Sequence, residues 1–145
     1  TTNKNSGKNL ACMKLPLDMA SKIIGTDMEI SNYILADRNT PSITSNCVYR
    51  TKGSKGTPSR TISIIYRKYT SSDSAQKSID NFAKNNKSED VNGSFDKGYY
   101  IDRSNQLTAR KGDIVVTITI TREKENQPKS KDISLKVANE VLKDN

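Results

Sequence analysis

A chain of 145 residues has room for one domain with a real core and too little for two comfortable ones. Only 32% of its residues are hydrophobic, Trp and His are absent, the formal charge is +8 and the mean hydropathy is −0.75. No run approaches the roughly 18 apolar residues of a membrane span, and the missing His removes the commonest general base and the commonest zinc ligand.

The charge is uneven. Residues 1–72 hold 11 basic and 4 acidic groups, and the rest hold 13 and 12, so +7 of the +8 belongs to the first half. The apolar share is lean, which fits a sheet covered on one main face better than a fully wrapped parallel sheet.

Residues 1–9 contain no apolar side chain and read as a linker or tether. The chain opens at Thr1 without a Met, and we read it as either an excised piece of a longer chain or a mature form whose export signal has been removed. Residues 10–145 are expected to form one globular domain. Residues 15–25 predict a short helix: Pro16 suits the first turn, Asp18 the positive end of the dipole, and Gly25 the C-terminal cap. Leu17, Ala20, Ile23 and Ile24 then share a face. Between Thr26 and Ser45 the apolar residues Met28, Ile30, Ile34 and Leu35 select neither the helical nor the strand period. Residues 45–51 predict a strand, residues 52–59 a connection, and residues 60–69 the next strand, with Ile62, Ile64 and Tyr66 on one side.

Ser71 or Ser72 can cap a second helix running to about Asn85, with Ala75, Ile79, Phe82 and Ala83 as its apolar stripe. Residues 98–102 predict a short strand. A hairpin follows, turning at Lys111-Gly112-Asp113, where Gly112 is free to take positive φ. Its second strand alternates strictly: Val116, Ile118 and Ile120 against Thr117, Thr119 and Thr121. One aliphatic face must therefore be covered, and the threonines should meet solvent or a thinner layer. A last helix is expected from about Lys129 to Lys143, with Ile133, Val137 and Val141 on one row and Leu135, Ala138 and Leu142 on the next. The expected fold is α+β, an antiparallel sheet of about five strands with three helices in the order α-β-β-α-β-β-β-α.

Cys12 and Cys47 are expected to form a disulfide, the alternative being two buried thiols. No Cys-x-x-Cys, P-loop or Gly-x-Ser-x-Gly is present, so no catalytic residue, metal site or cofactor is expected. Asp96-Lys97-Gly98-Tyr99-Tyr100 is the densest cluster of reactive side chains. It would make a hydrolase only if Asp96 and a Tyr converged in a cleft, and we read it as a loop entering a strand.

One feature suggests binding. Arg50, Lys52, Lys55, Arg60, Arg67 and Lys68 fall within residues 50–68, which contain no Asp or Glu. Tyr49, Tyr66 and Tyr69 interleave with them. Such a ribbon can contact phosphates, with its aromatics stacking on bases or sugars. The competing reading is a solvated hairpin whose lysines discourage edge pairing, and the sequence leaves both open.

Cys12 before Leu15-Pro16-Leu17, Asn46-Cys47-Val48-Tyr49, Gly98-Tyr99-Tyr100, the hairpin at residues 107–112 and a closing helix together carry a resemblance. From Leu10 onward the chain resembles small exported lipoprotein domains of unknown function found mainly in actinobacteria and their relatives. The resemblance implies a PsbP-like α/β sandwich and an extracellular, membrane-anchored location, and it transfers no catalytic residue. The function expected is therefore a non-catalytic binding or scaffolding domain at the cell surface. Its partner would be an anionic surface polymer or another envelope protein, and it would meet the membrane only through an anchor before Thr1. The alternative is the globular part of a minor pilin or surface-assembly subunit.

Overall fold

The computed structural model describes residues 10–34, 43–52, 60–121 and 129–143, with no side-chain description for residues 32–34. The expected linker at residues 1–9 lies outside them. Helix α1 spans Leu10–Lys14 and helix α2 Leu17–Ile24. Strands β1 (Met28–Ile34), β2 (Ile43–Thr51) and β3 (Thr61–Lys68) come next, then helix α3 (Ser72–Asn85). Strands β4 (Glu89–Val91), β5 (Lys97–Ile101), β6 (Gln106–Lys111) and β7 (Ile114–Thr121) lead to helix α4 (Ser130–Leu142). The strands form one antiparallel sheet in the order β1-β2-β3-β7-β6-β5-β4.

The α+β class and the antiparallel sheet are as expected, but the described residues hold seven strands and four helices rather than five and three. Each added element has a local cause. In β1, a bulge between Ile30 and Asn32 shifts the register. Ile30 pairs with Tyr49, whereas beyond the bulge it is Tyr33, an odd position, that pairs with Cys47. A strand that changes parity halfway cannot show a clean period of two. Strand β4 is three residues long and buries only Val91, so it carries almost no apolar signal. Helix α1 arises because Leu15-Pro16 breaks the first helical segment in two. Pro16 sits extended at φ −57° and ψ 147° as the cap of α2, and Gly25 closes that helix at φ 87°.

The core lies between the sheet and helices α1, α2 and α4. Val116, Ile118 and Ile120 face this layer and are fully buried, as are Ile62 and Ile64 from β3. Ile133, Val137, Ala138, Val141 and Leu142 of α4 pack onto them, and Leu135 is half-buried. Leu17, expected on the buried stripe of α2, is instead exposed, while Ala20 and Ile24 are buried. Cys12 of α1 and Cys47 of β2 form a disulfide with Cα atoms 5.3 Å apart. It closes a loop of 35 residues, for which chain entropy gives about 4 kcal/mol.

Helix α3 lies on the opposite face of the sheet, against β6 and β7. Its cap is Ser71, whose Oγ accepts the Ser74 N–H at 3.1 Å. Ala75 and Ile79 are buried there with Val115, Thr108 and Ile101, whose alternation points them away from the other three helices. Helix α3 packs on only part of this face, and among the described residues no helix packs over the part formed by β1, β2 and β3.

Candidate polyanion-binding face

Alternation decides which side chains reach the uncovered face. On β2, Ser45, Cys47 and Tyr49 turn to the core, so Thr44, Asn46, Val48 and Arg50 turn outward. On β3, Ile62, Ile64 and Tyr66 turn inward, leaving Thr61, Ser63, Ile65 and Arg67 outward. Register aligns these rows: Thr44 opposite Arg67, Asn46 opposite Ile65, Val48 opposite Ser63, Arg50 opposite Thr61. Thr117, Thr119 and Thr121 of β7 continue them past Ile65, Ser63 and Thr61. Thr61 donates its N–H to Thr121 Oγ1 at 3.2 Å, and their hydroxyls are hydrogen-bonded to each other. The result is a mixed field of hydroxyl and amide groups with Val48 and Ile65 among them, bracketed by two arginines. Arg50 and Arg67 are six residues apart along the ladder, or about 20 Å.

The six predicted basic residues divide on this geometry. Arg50 is half exposed, and its Nε and Nη2 both donate to Glu29 Oε2, at 3.2 and 3.0 Å. Lys52 is exposed just past β2, its N–H held by the Asp27 carbonyl at 2.9 Å. Arg67 is half-buried on the outward row. Lys68 is exposed but falls on the parity of Ile64 and Tyr66, so it belongs to the other side. Lys55 lies outside the described residues.

Arg60 departs from the expected surface ribbon. It is 1% exposed. Arg60 shares the parity of Ile62 and Ile64, so entry into β3 turns it toward the helices. There Nη2 donates to Ser130 Oγ at the start of α4, at 3.5 Å. Its own N–H donates to Thr51 Oγ1 at 3.0 Å, and its carbonyl accepts from Thr51 N at 2.9 Å. It joins the sheet to α4 and is not available to a surface ligand.

The interleaved tyrosines are withdrawn as well. Tyr49 is fully buried and donates its hydroxyl to the Leu15 carbonyl at 2.6 Å; burial pushes its pKa up. Tyr66 is also buried, and burial followed by the nearby Asp113 carboxylate pushes its pKa up to about 12. Tyr69 is half-buried, its hydroxyl donating to Ser78 Oγ at 2.7 Å. Tyr49 and Tyr66 offer no ring for stacking, and Tyr69 is held through its hydroxyl to α3. Thr44, Asn46 and Ser63 belong to the face although the charge run gave no reason to include them. Their signal is alternation, since each occupies the polar phase of its strand.

The Asp96–Tyr100 cluster does not converge. Asp96 Oδ2 accepts from Gly112 N at 2.8 Å and Arg110 Nη1 at 3.3 Å, pinning the β6–β7 turn where Gly112 has φ 61°. Lys97 bonds Asp90 at 3.1 Å, which raises its pKa, and lies 5.2 Å from the centre of the Tyr99 ring. Tyr100 points to the opposite face, where its hydroxyl donates to Asn105 Oδ1 at 3.4 Å. Glu89 pairs instead with Lys131 at 3.0 Å, so alternation separates it from Asp90. Among the described residues, no three His, Cys, Asp or Glu side chains stand close enough to hold a metal ion. No family model matches the chain, and no curated protein or solved structure matches it either.

Proposed function

We propose that this chain is a non-catalytic binding domain, exported and tethered at the cell surface, that holds a linear polyanion on the uncovered face of its sheet. The observation that carries the reading is the placement of Arg50, Lys52 and Arg67. Register brings Arg50 and Arg67 to the face on which no described helix packs beside β3, with Glu29 the carboxylate opposite Arg50, and exposed Lys52 follows two residues after Arg50. Cations some 20 Å apart match a ligand with repeating charge better than a single small anion. The hydroxyl and amide rows between them suit a hydroxyl-bearing backbone. Tyr49 and Tyr66 are buried, which removes the stacking platform that single-stranded nucleic acid would use. The ligand class favoured is therefore a polyol phosphate of the teichoic acid type. The disulfide agrees with an oxidising compartment, and a sheet with helices on both faces is compatible with the PsbP-like lipoprotein resemblance.

The test is binding of soluble polyglycerol phosphate, with duplex DNA alongside, across a salt series. Affinity should fall steeply with salt, because cation–phosphate contacts release counterions. A variant carrying Arg50→Gln, Lys52→Gln and Arg67→Gln should stay folded, since an exposed pair such as Arg50–Glu29 is worth about 0–1 kcal/mol. Its salt slope should shrink by about one for each cation lost. Wild-type protein that ignores polyglycerol phosphate at low salt, or binds only DNA, would remove this reading.

A further inference from the structure

A second feature lies on the other side of the sheet. Between helices α2 and α4 lies an open groove of about 390 Å3, lined by Met19, Lys22, Ile23, Lys136, Asn139 and Glu140. That volume is within the range of small-molecule sites. Met19 and Ile23 are half-buried against the core and form the apolar part of the lining. Lys22 and Lys136 are exposed, one from each helix, and neither has an ion-pair partner among the described residues. The carboxylate in the lining is already engaged, with Glu140 Oε1 accepting from Lys143 Nζ at 2.8 Å.

The third donor is fixed in orientation. Asn139 Oδ1 accepts the Ser94 N–H at 2.7 Å, which settles which end of the amide is oxygen. Its Nδ2 hydrogens have no partner among the described residues. The loop approaches it closely, because a Cβ on Gly93 would collide with both the Phe95 ring and the Asn139 amide. Two ammonium groups and an amide N–H2 thus stand around the short apolar strip of Met19 and Ile23, with the one carboxylate of the lining paired to Lys143.

We infer that this cleft binds a single-chain amphiphilic carboxylate. The hydrocarbon would lie on Met19 and Ile23, and the head group would accept from Lys22, Lys136 and Asn139. Charge complementarity selects the anion, and the thioether and aliphatic side chains select an alkyl chain over a sugar. The inference does not depend on the polyanion reading, since the two sites occupy opposite faces of the sheet.

The probe is sodium decanoate below its micellar concentration, titrated into the intact protein and followed by calorimetry and by the methionine methyl resonances. Saturable one-to-one binding is expected, with the Met19 methyl moving and the Met13 methyl, exposed on α1, staying still. The double variant Lys22→Gln/Lys136→Gln should weaken decanoate at least tenfold, and Ile23→Ser should weaken it while the two lysines remain. Vesicles of phosphatidylglycerol separate the cleft from a membrane-facing use of the same lysines. A double variant that loses vesicle binding yet takes up decanoate like the wild type would overturn the proposal. So would non-saturable binding, or a shift at Met13 without one at Met19.

Discussion

The Tyr49 hydroxyl donates to the Leu15 carbonyl at 2.6 Å and thereby ties the second strand to the break between the first two helices. Pro16 follows Leu15, and the chain there leaves α1 without continuing the helical ladder, so this carbonyl needs an outside donor. Tyr49→Phe keeps the ring and removes the donor, leaving a buried carbonyl unsatisfied. We expect a loss of about 1–3 kcal/mol in denaturant unfolding. A variant as stable as the parent would mean water serves the carbonyl equally well.

The same tyrosine and Tyr66 set an alkaline limit. Both have folded pKa values above the ordinary tyrosine range, so the folded state holds these protons more tightly than the unfolded state. Their contribution is fully present below pH ~10 and is lost as pH rises toward and past about 12, where Tyr66 titrates. The phenolate absorbance of Tyr49 and Tyr66 should therefore appear together with loss of secondary structure. Complete ionisation of all six tyrosines in a chain that stays folded would contradict the burial of Tyr49 and Tyr66.

The disulfide makes a covalent prediction. Intact mass under non-reducing conditions should be two hydrogens below that of the reduced chain. Replacing both Cys12 and Cys47 with Ala should cost about 2–5 kcal/mol, read from the denaturation midpoint. Two thiols open to alkylation in non-reduced protein would contradict the pairing.

Ile118→Ala should cost about 2–5 kcal/mol and Thr119→Ala less than about 1 kcal/mol. Ile118 is fully buried under α4, whereas Thr119 sits on the outward row beside Ser63. Equal losses would mean that both sides of β7 are packed alike.

Arg60→Gln should behave unlike the surface variants. It should lower stability by about 1–3 kcal/mol and leave the salt slope of polyanion binding unchanged, because Arg60 points to Ser130 and not to the open face. A stable Arg60→Gln protein with a reduced slope would return Arg60 to the surface ribbon.

The sequence was legible where one period ran unbroken. Val116, Ile118 and Ile120 against three threonines, the Ser71 cap, and the rows of Ile133 and Val137 each found their expected place. It was illegible in β1, where the bulge after Ile30 switches parity, and in β4, where three residues bury one side chain. The basic cluster was visible as a charge run, but a run has no faces. Half of its meaning depended on whether each residue fell on the parity of Ile62 or of Ser63. Strand alternation alone, extended from Ile62 and Ile64 to Arg60 and Tyr66 and across the ladder to Tyr49, turns all three inward.

By itself the sequence determined the α+β class, the identity of most elements, and which side of each regular strand is apolar, because these follow from short-range periodicity and caps. Only the tertiary structure decided that β3 lies beside β7, that α3 packs on the face opposite the other helices, and that no described helix packs over β1 to β3 there. Backbone ladder bonds follow one pattern for every antiparallel pair of strands, so local sequence does not name a strand's neighbour. The polar row from Thr44 to Thr121 exists as a surface only after that pairing is made. The cleft between Lys22 and Lys136 likewise joins residues that meet only once both helices have docked on one sheet.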